Sequence, residues 1–139
     1  MRRSIRRCLL ILTVLLVGST ASAAAQDREG VEVARALLDA FNEHDPAAMA
    51  ALVTEDFELL YVDDAGRAAV ATRGPAALEA EMTAYFEARP NVRSSIEGQI
   101  AGTRFVAFRE RIAGGASSLA VYEIHEGRVR RAWYYPEEG

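Results

Sequence analysis

The chain has little of what most metal and redox sites require. It contains one cysteine, Cys8, and two histidines, His44 and His125, and all 16 of its basic residues are arginine. A metal site would need carboxylates gathered around a single histidine, and the adjacent pair Asp63-Asp64 is too small a set to indicate calcium. The sequence has no Cys-x-x-Cys pair, no Gly-rich phosphate loop and no serine nucleophile elbow. We therefore predict that the protein holds no metal and no cofactor.

The N-terminal segment lacks acidic residues and has the layout of a secretory signal peptide. Four arginines at positions 2, 3, 6 and 7 precede the apolar run CLLILTVLLV, and small residues follow up to Ala25. A membrane anchor is the alternative, but the apolar run is shorter than the roughly 20 residues of a spanning helix. We predict that residues 1–25 are removed, with cleavage after Ala23 or Ala25, and that a bacterium exports the product to its periplasm or secretes it.

The rest of the chain has an excess of acidic residues. Residues 26–139 contain 12 arginines against 20 acidic residues, a net charge of −8, and no cysteine. Binding to phosphates requires a basic face, so we predict no nucleic-acid partner and no membrane contact after cleavage. This length suffices for a single domain, residues 26–139, with one core, and that core forms without disulfides.

Hydrophobic periodicity predicts an α+β domain. Apolar residues recur at helical spacing in three segments and then alternate from Val92 onward. The predicted helices cover residues 27–43, 46–53 and 75–89. The predicted strands cover residues 57–62, 67–72 (weakly), 92–100, 104–112, 117–125 and 128–135. Helices mixed with a run of strands indicate the α+β class.

Two hairpin turns predict which side chains share a face of the sheet. A two-residue turn at Gly114-Gly115 would place Phe108 opposite Val121, and one at Glu126-Gly127 would place Glu123 opposite Arg130. One face would then carry Val106, Phe108, Glu110, Leu119, Val121, Glu123, Arg130, Ala132 and Tyr134. The other would carry Phe105, Ala107, Arg109, Tyr122, Ile124, Val129, Arg131, Trp133 and Tyr135. Both faces are partly apolar, so we expect both to be covered, one of them by the helices.

Three segments, ALLDAFNEHDPAAMAALVTEDFEL, RGPAALEAEMTAYF and YEIHEGRVRRAWYY, resemble the nuclear transport factor 2-like superfamily in its SnoaL-like branch. The resemblance implies a cone-shaped, strongly curved antiparallel β-sheet wrapped around three helices, with a pocket between them. It also implies a homodimer through the outer face of the sheet. The branch includes ketosteroid isomerases, epoxide hydrolases, polyketide cyclases and proteins without known activity, so the resemblance does not define a reaction.

The catalytic sets of the best-known members are missing. Where ketosteroid isomerases have a tyrosine and two aspartates, this chain aligns Leu37, Tyr61 and Val121. Where epoxide hydrolases complete an Asp-Arg-Asp relay on the last strand, it has Tyr134. The resemblance therefore implies neither of these two mechanisms.

The polar residues predicted to face the pocket are the candidates for chemistry. A carboxylate on an apolar face must be paired, protonated or functional; Glu123 has a possible partner in Arg130, and Glu110 has none. The candidate catalytic residues are Glu110, Glu123 and Tyr134. The candidate pocket residues are Tyr61, Phe108, Val121, Arg130 and Tyr134. The candidate dimer face consists of Tyr122, Ile124, Trp133 and Tyr135.

Three functions are compatible with these residues. The first is an exported protein that binds a small apolar or amphipathic molecule in a mostly apolar pocket. The second is an enzyme of the cyclase, isomerase or hydrolase type, with Glu110 or Glu123 as general acid or base. The third is a non-catalytic association module whose pocket is filled by its own side chains. An open pocket with a buried, unpaired Glu110 would favour the enzyme, and paired charges would favour binding.

Overall fold

The computed structural model describes the backbone of residues 19–136 and the side chains of residues 24–136. Most of the predicted signal peptide, residues 1–18, lies outside the described residues. Helix α1, Ser19–Glu43, begins earlier than the predicted Asp27 and includes the predicted cleavage region, where alanine, the best helix former, dominates. No helix in the described part of the chain is long and apolar enough to span a bilayer.

Two shorter helices follow, and local sequence signals define their ends. Helix α2 is Pro46–Ala51, and the side chain of Asp45 caps it by accepting a hydrogen bond from the backbone N–H of Ala48 at 2.9 Å. Helix α3 is Pro75–Ala88. Both helices begin with proline, whose missing N–H costs nothing in the first turn. The predicted starts of α2 and α3 are therefore correct.

Six strands form one mixed sheet. They are β1 Val53–Val62, β2 Ala68–Arg73, β3 Ser94–Ala101, β4 Phe105–Ile112, β5 Ser117–His125 and β6 Arg128–Pro136. Their order across the sheet is β2-β1-β6-β5-β4-β3, and every neighbouring pair is antiparallel except β1 and β6, which run parallel. The predicted α+β class is confirmed. The prediction of an entirely antiparallel sheet was wrong. No hairpin joins β1 to β6, so the turns in the sequence do not constrain the relative direction of these two strands.

The three helices pack on one face of this sheet and form the core with it. Register shifts in four of the five strand pairs mark irregularities of the bulge type, which bend strands. The buried apolar side chains come from all three helices and from the covered face of the sheet, including Leu37, Met49, Phe57, Leu78 and Phe108. The helices and the curved sheet thus enclose the space between them.

The β4–β5 hairpin has a register that differs by one residue from the prediction. Phe108 pairs with Ala120, and Arg111 pairs with Ser117. The loop is centred on Gly114, whose φ of 78° lies in the left-handed region that glycine adopts without strain. The connection therefore has an odd number of residues, and a shift of one residue turns every side chain of a strand to the opposite face.

The β5–β6 hairpin begins as predicted and then departs from the prediction. His125 pairs with Arg128, and Glu126 and Gly127 both have positive φ, as a two-residue hairpin turn requires. A register shift between Glu123 and Ile124 then pairs Glu123 with Arg131 instead of Arg130. The two differences in register lie on the two edges of β5. The side chains of β4 and β6 therefore share faces as predicted, whereas those of β5 have the reversed orientation and point to the opposite face.

The two faces of the central strands follow from these pairings. The face toward the helices, the inner face, carries Val106, Phe108, Glu110, Ala120, Tyr122, Ala132 and Tyr134. The opposite, outer face carries Phe105, Ala107, Arg109, Leu119, Val121, Glu123, Arg131, Trp133 and Tyr135.

Candidate functional site

A cavity of about 470 Å³ lies between the three helices and the inner face. Helix α1 contributes Leu37, Leu38 and Phe41 to its wall, and Met49 of α2 closes one side. Most of the lining is aliphatic or aromatic, and the polar groups are few. The space is large enough for a small organic molecule, whose sites usually span about 300–1,000 Å³.

Two buried polar side chains and one partly buried tyrosine form a hydrogen-bonded network on the cavity wall. The Tyr122 hydroxyl donates to Glu110 Oε1 at 2.5 Å and lies 3.0 Å from the Tyr134 hydroxyl. These groups sit on β4, β5 and β6, and they come together because Tyr122 faces inward. Tyr122 thus links the carboxyl group of Glu110 to the hydroxyl of Tyr134 on a largely apolar wall.

Burial shifts the pKa values of all three groups of this network. It raises the pKa of the Glu110 carboxyl group, an effect that the hydrogen bond from Tyr122 partly opposes. It also raises the pKa values of Tyr122 and Tyr134 well above that of a free tyrosine, so both phenols keep their protons at neutral pH. Within residues 24–136, no basic side chain forms an ion pair with Glu110, which is only 3% exposed.

A second polar group lies at the edge of the cavity, where α3 meets β1 and β2. Glu81 of α3 accepts a hydrogen bond from the hydroxyl of Thr72, and Tyr85 follows one helical turn later on the same side. The half-exposed ring of Tyr61 lies 5.9 Å from that of Tyr134. Burial raises the pKa of Tyr61, and the nearby Glu81 and Tyr85 add to the effect.

Some of the predicted pocket residues line this cavity, and others do not. Glu110, Tyr134 and Tyr61 do. Phe108 is fully buried on the inner face, with its ring 5.8 Å from that of Tyr122, and belongs to the core beneath the cavity. Val121 lies on the outer face, where it pairs with Trp133, because β5 is turned over.

The predicted pair of Glu123 and Arg130 does not form. Glu123 is as buried as Glu110, but it faces outward and makes ion pairs with Arg104 and, at 3.5 Å, with Arg131. Arg130 instead donates to Asp56 on β1 at 3.0 Å, beside a surface hollow away from the cavity. The bulge in the β5–β6 pair separates the two residues, and the reversed orientation of β5 keeps Glu123 out of the cavity.

The predicted dimer face is divided between the two sides of the sheet. Tyr122 is buried on the inner face, and Ile124 packs against the core. Trp133 and Tyr135 lie on the outer face as predicted. Placing Tyr122 and Ile124 with them was wrong for the same reason, the reversed orientation of β5.

Sequence reasoning missed Tyr122, Glu81 and Tyr85 as cavity residues. Glu81 and Tyr85 are one turn apart on α3 and next to Leu78 and Met82, which also line the cavity, so the helical spacing of the apolar residues could have found them. Tyr122 could have been found only from the odd-numbered loop at Gly114. No group of three or more metal-binding side chains occurs within residues 24–136.

The chain is similar to known proteins in both sequence and fold. Residues 34–133 match the family described as SnoaL-like domain. A SnoaL-like protein of unknown function from Burkholderia thailandensis superposes with a TM-score of 0.68 at 24% identity, covering 80% of this chain and 96% of that chain. A protein from Kribbella flavida, provisionally called a ketosteroid isomerase, gives 0.62 at 17% identity, covering 82% of each chain.

A third solved structure carries another provisional name. This protein from a Jannaschia species, provisionally called a SnoaL-like polyketide cyclase, gives a TM-score of 0.65 at 15% identity and covers 80% of this chain and 87% of that chain. No curated protein matches the chain. At these identities the solved structures establish the shared fold, and their names describe those proteins alone.

Proposed function

Because this chain belongs to the SnoaL-like family, we propose that it binds a small, largely apolar molecule in the cavity between its helices and its sheet. The main support for this proposal is a largely apolar cavity of about 470 Å³ whose wall contains the hydrogen-bonding network of Glu110, Tyr122 and Tyr134. Ligand sites commonly combine these two features, since the apolar wall provides affinity and the few polar groups orient the ligand.

Two substitutions of leucine by tryptophan test the cavity directly. Leu38→Trp places a larger side chain at the cavity wall, whereas Leu119→Trp makes the same change on the exposed part of the outer face. We expect the first variant to lose binding of an apolar fluorescent dye and the second to keep it, with unchanged circular dichroism in both. Equal dye binding by both variants would contradict the proposal. Mass spectrometry of an organic extract of the protein from its own host would identify a retained ligand.

Proton transfer by Glu110 is a second candidate function. A buried carboxyl group that has a raised pKa and forms no ion pair within residues 24–136 is a typical acid or base for a reaction at neutral pH. Tyr134, whose hydroxyl lies 3.0 Å from that of Tyr122, could donate a hydrogen bond to a substrate oxygen. Glu123 is a poor candidate, because its ion pairs with arginines lie on the outer face.

Hydrogen–deuterium exchange tests this candidate without a known substrate. A panel of apolar ketones in D2O, followed by NMR, would report removal of protons from the carbon next to the carbonyl. We expect the protein to accelerate exchange for at least one ketone, Glu110→Gln to abolish the acceleration, and Glu123→Gln to keep it. Exchange at the uncatalysed rate throughout the panel would leave binding as the function.

We also propose that the protein is a homodimer through the outer face. An apolar row crosses the whole sheet there, with one residue from each strand paired to the next: Val70, Leu60, Trp133, Val121, Ala107 and Ile100. Soluble monomers rarely expose so extended an apolar surface, and a two-fold dimer would bury it in both copies. Sedimentation should show dimers that Trp133→Glu dissociates and Trp133→Phe preserves. A monomeric wild-type protein at micromolar concentration would exclude this dimer.

We further propose that the protein is exported. Residues 1–25 have the charged, apolar and small-residue order of a signal peptide, and removing them would leave the domain that matches the family. N-terminal sequencing of protein from culture medium and periplasm should find a start at residue 24 or 26. An intact Met1 on membrane-bound protein would contradict it.

A further inference from the structure

The ionisable carboxyl groups of the cavity favour one sign of ligand charge. Two carboxyl groups, Glu81 and Glu110, line it, and none of its lining residues within the described part of the chain is arginine or histidine. The sequence contains no lysine. An anionic head group would meet carboxyl groups with no basic side chain to neutralise it, and burying an unpaired charge is costly. Fatty acids and other apolar anions are therefore poor ligands for this cavity.

Three tyrosines and one glutamate line the cavity on the side where α3 meets β1 and β6, and we name them the tyrosine–glutamate cage: Tyr61, Tyr85, Tyr134 and Glu81. The rings of Tyr61 and Tyr134 are 5.9 Å apart and tilted by 38°. Glu81 and Tyr85 line the same cavity from α3, and both raise the pKa of Tyr61. The cage opens to solvent at Tyr61, which is half exposed.

We propose that the tyrosine–glutamate cage binds the substituted ammonium head of an otherwise apolar ligand. This inference rests on the proposed function, since the apolar part of the ligand would occupy the rest of the cavity. The faces of tyrosine rings attract cations, and the carboxylate of Glu81, an exposed residue at the rim, adds direct attraction. Thr72 holds Glu81 at the rim through its hydroxyl hydrogen bond.

The structure already shows one cation on a ring of the cage. The guanidinium of Arg89 lies 4.5 Å from the ring centroid of Tyr85. Arg89 is exposed and does not line the cavity, so one face of Tyr85 binds a cation from the outside. Since Arg89 also repels a bound ammonium, replacing it should strengthen ligand binding.

Three probes of similar shape separate charge from apolar contact. Phenyltrimethylammonium and tert-butylbenzene differ by one nitrogen in place of carbon, and benzenesulfonate has an anionic tetrahedral head of comparable size. NMR titration of the labelled protein would give each affinity and locate each probe. We expect the cation to bind at least fivefold more tightly than the neutral isostere and at least twentyfold more tightly than the anion, with shifts at Tyr61, Tyr85 and Tyr134.

A matched pair of glutamate variants on α3 tests the role of the cage. Glu81→Gln can still accept the hydrogen bond of Thr72, so it should fold; we expect at least a fivefold loss of cation affinity and less than a twofold change for the neutral probe. Glu79→Gln, an exposed change two residues earlier, should alter neither affinity. Arg89→Gln should increase cation affinity about twofold.

The outcomes distinguish the two proposals. If the neutral probe binds in the cavity as tightly as the cation, or if Glu81→Gln has no effect on the cation, the ammonium inference is wrong and the proposed function stands. If none of the three probes produces shifts at cavity residues, both are wrong. Tighter binding of the cation that Glu81→Gln weakens and Glu79→Gln does not would support the inference.

Discussion

Glu110 should make the protein less stable at neutral pH than at mildly acidic pH. Burial raises the pKa of this carboxyl group in the folded state above its value of about 4.3 in an unfolded chain. Between these two pKa values the folded state binds more protons than the unfolded state. The free energy of unfolding therefore falls as the pH rises from about 4.3 through the folded pKa, and it stops falling above that pKa.

The substitution Glu110→Gln isolates this effect, because glutamine keeps the shape and still accepts a hydrogen bond from Tyr122 but cannot ionise. At pH 7 we expect the variant to be more stable than the wild type by about 1.4 kcal/mol for each unit by which folding raises the pKa. Near pH 4 the two proteins should have almost the same stability. Urea denaturation followed by circular dichroism at several pH values, without ligand, measures the difference.

Glu123→Gln is the matched control. Glu123 is also 3% exposed, but it is paired with Arg104 and Arg131. Its replacement should destabilise the protein at neutral pH by about 1.5–3 kcal/mol, the range for hydrogen bonds to charged groups. If Glu110→Gln instead destabilises the protein at pH 7 to the same extent as Glu123→Gln, the carboxylate form of Glu110 is stabilised in the fold, and the reasoning from burial is refuted.

Two further predictions concern the core and the outer ion pairs. Phe57→Ala should lower the free energy of unfolding by about 3–5 kcal/mol in urea, because Phe57 is 2% exposed in the core, whereas Phe105→Ala, at a half-exposed position, should cost less than half as much. In double-mutant cycles, Glu123 should couple with Arg131 and not with Arg130; coupling with Arg130 alone would show that the bulge in β5–β6 is absent in solution.

Much of the fold could be predicted from local signals. The cap at Asp45, the prolines that begin α2 and α3, and the two-residue turn at Glu126-Gly127 each act within a few residues, so the sequence identifies them directly. The resemblance to the SnoaL-like branch is confirmed by the family match over residues 34–133. The parallel pairing of β1 with β6 could not be predicted in this way, because it joins the two ends of the domain.

The candidate site could be predicted only in part, and a single strand explains the difference. Glu110 and Tyr134 lie on strands whose orientation was predicted correctly, and both line the cavity. Tyr122 and Glu123 lie on β5, where the odd-numbered loop at Gly114 and the register shift after Glu123 reverse the predicted faces. The loop at Gly114-Gly115 allows either an even or an odd connection, since two glycines tolerate many conformations. The choice depends on packing across the whole sheet, which local sequence does not contain.

The odd-numbered loop at Gly114 also suggests how the chemistry of the cavity could change during evolution. Deleting Gly115 would remove one codon, and a loop that kept its odd length would then pair Ile112 with Ser117 and exchange the side chains of β5 between the faces. Tyr122 would leave the cavity, while Val121 and Glu123 would enter it. A single in-frame deletion could thus remodel a binding site by rotating a whole strand, without any substitution in its wall. Proteins of this shape could acquire new ligands through the lengths of their hairpin loops as well as through point mutations.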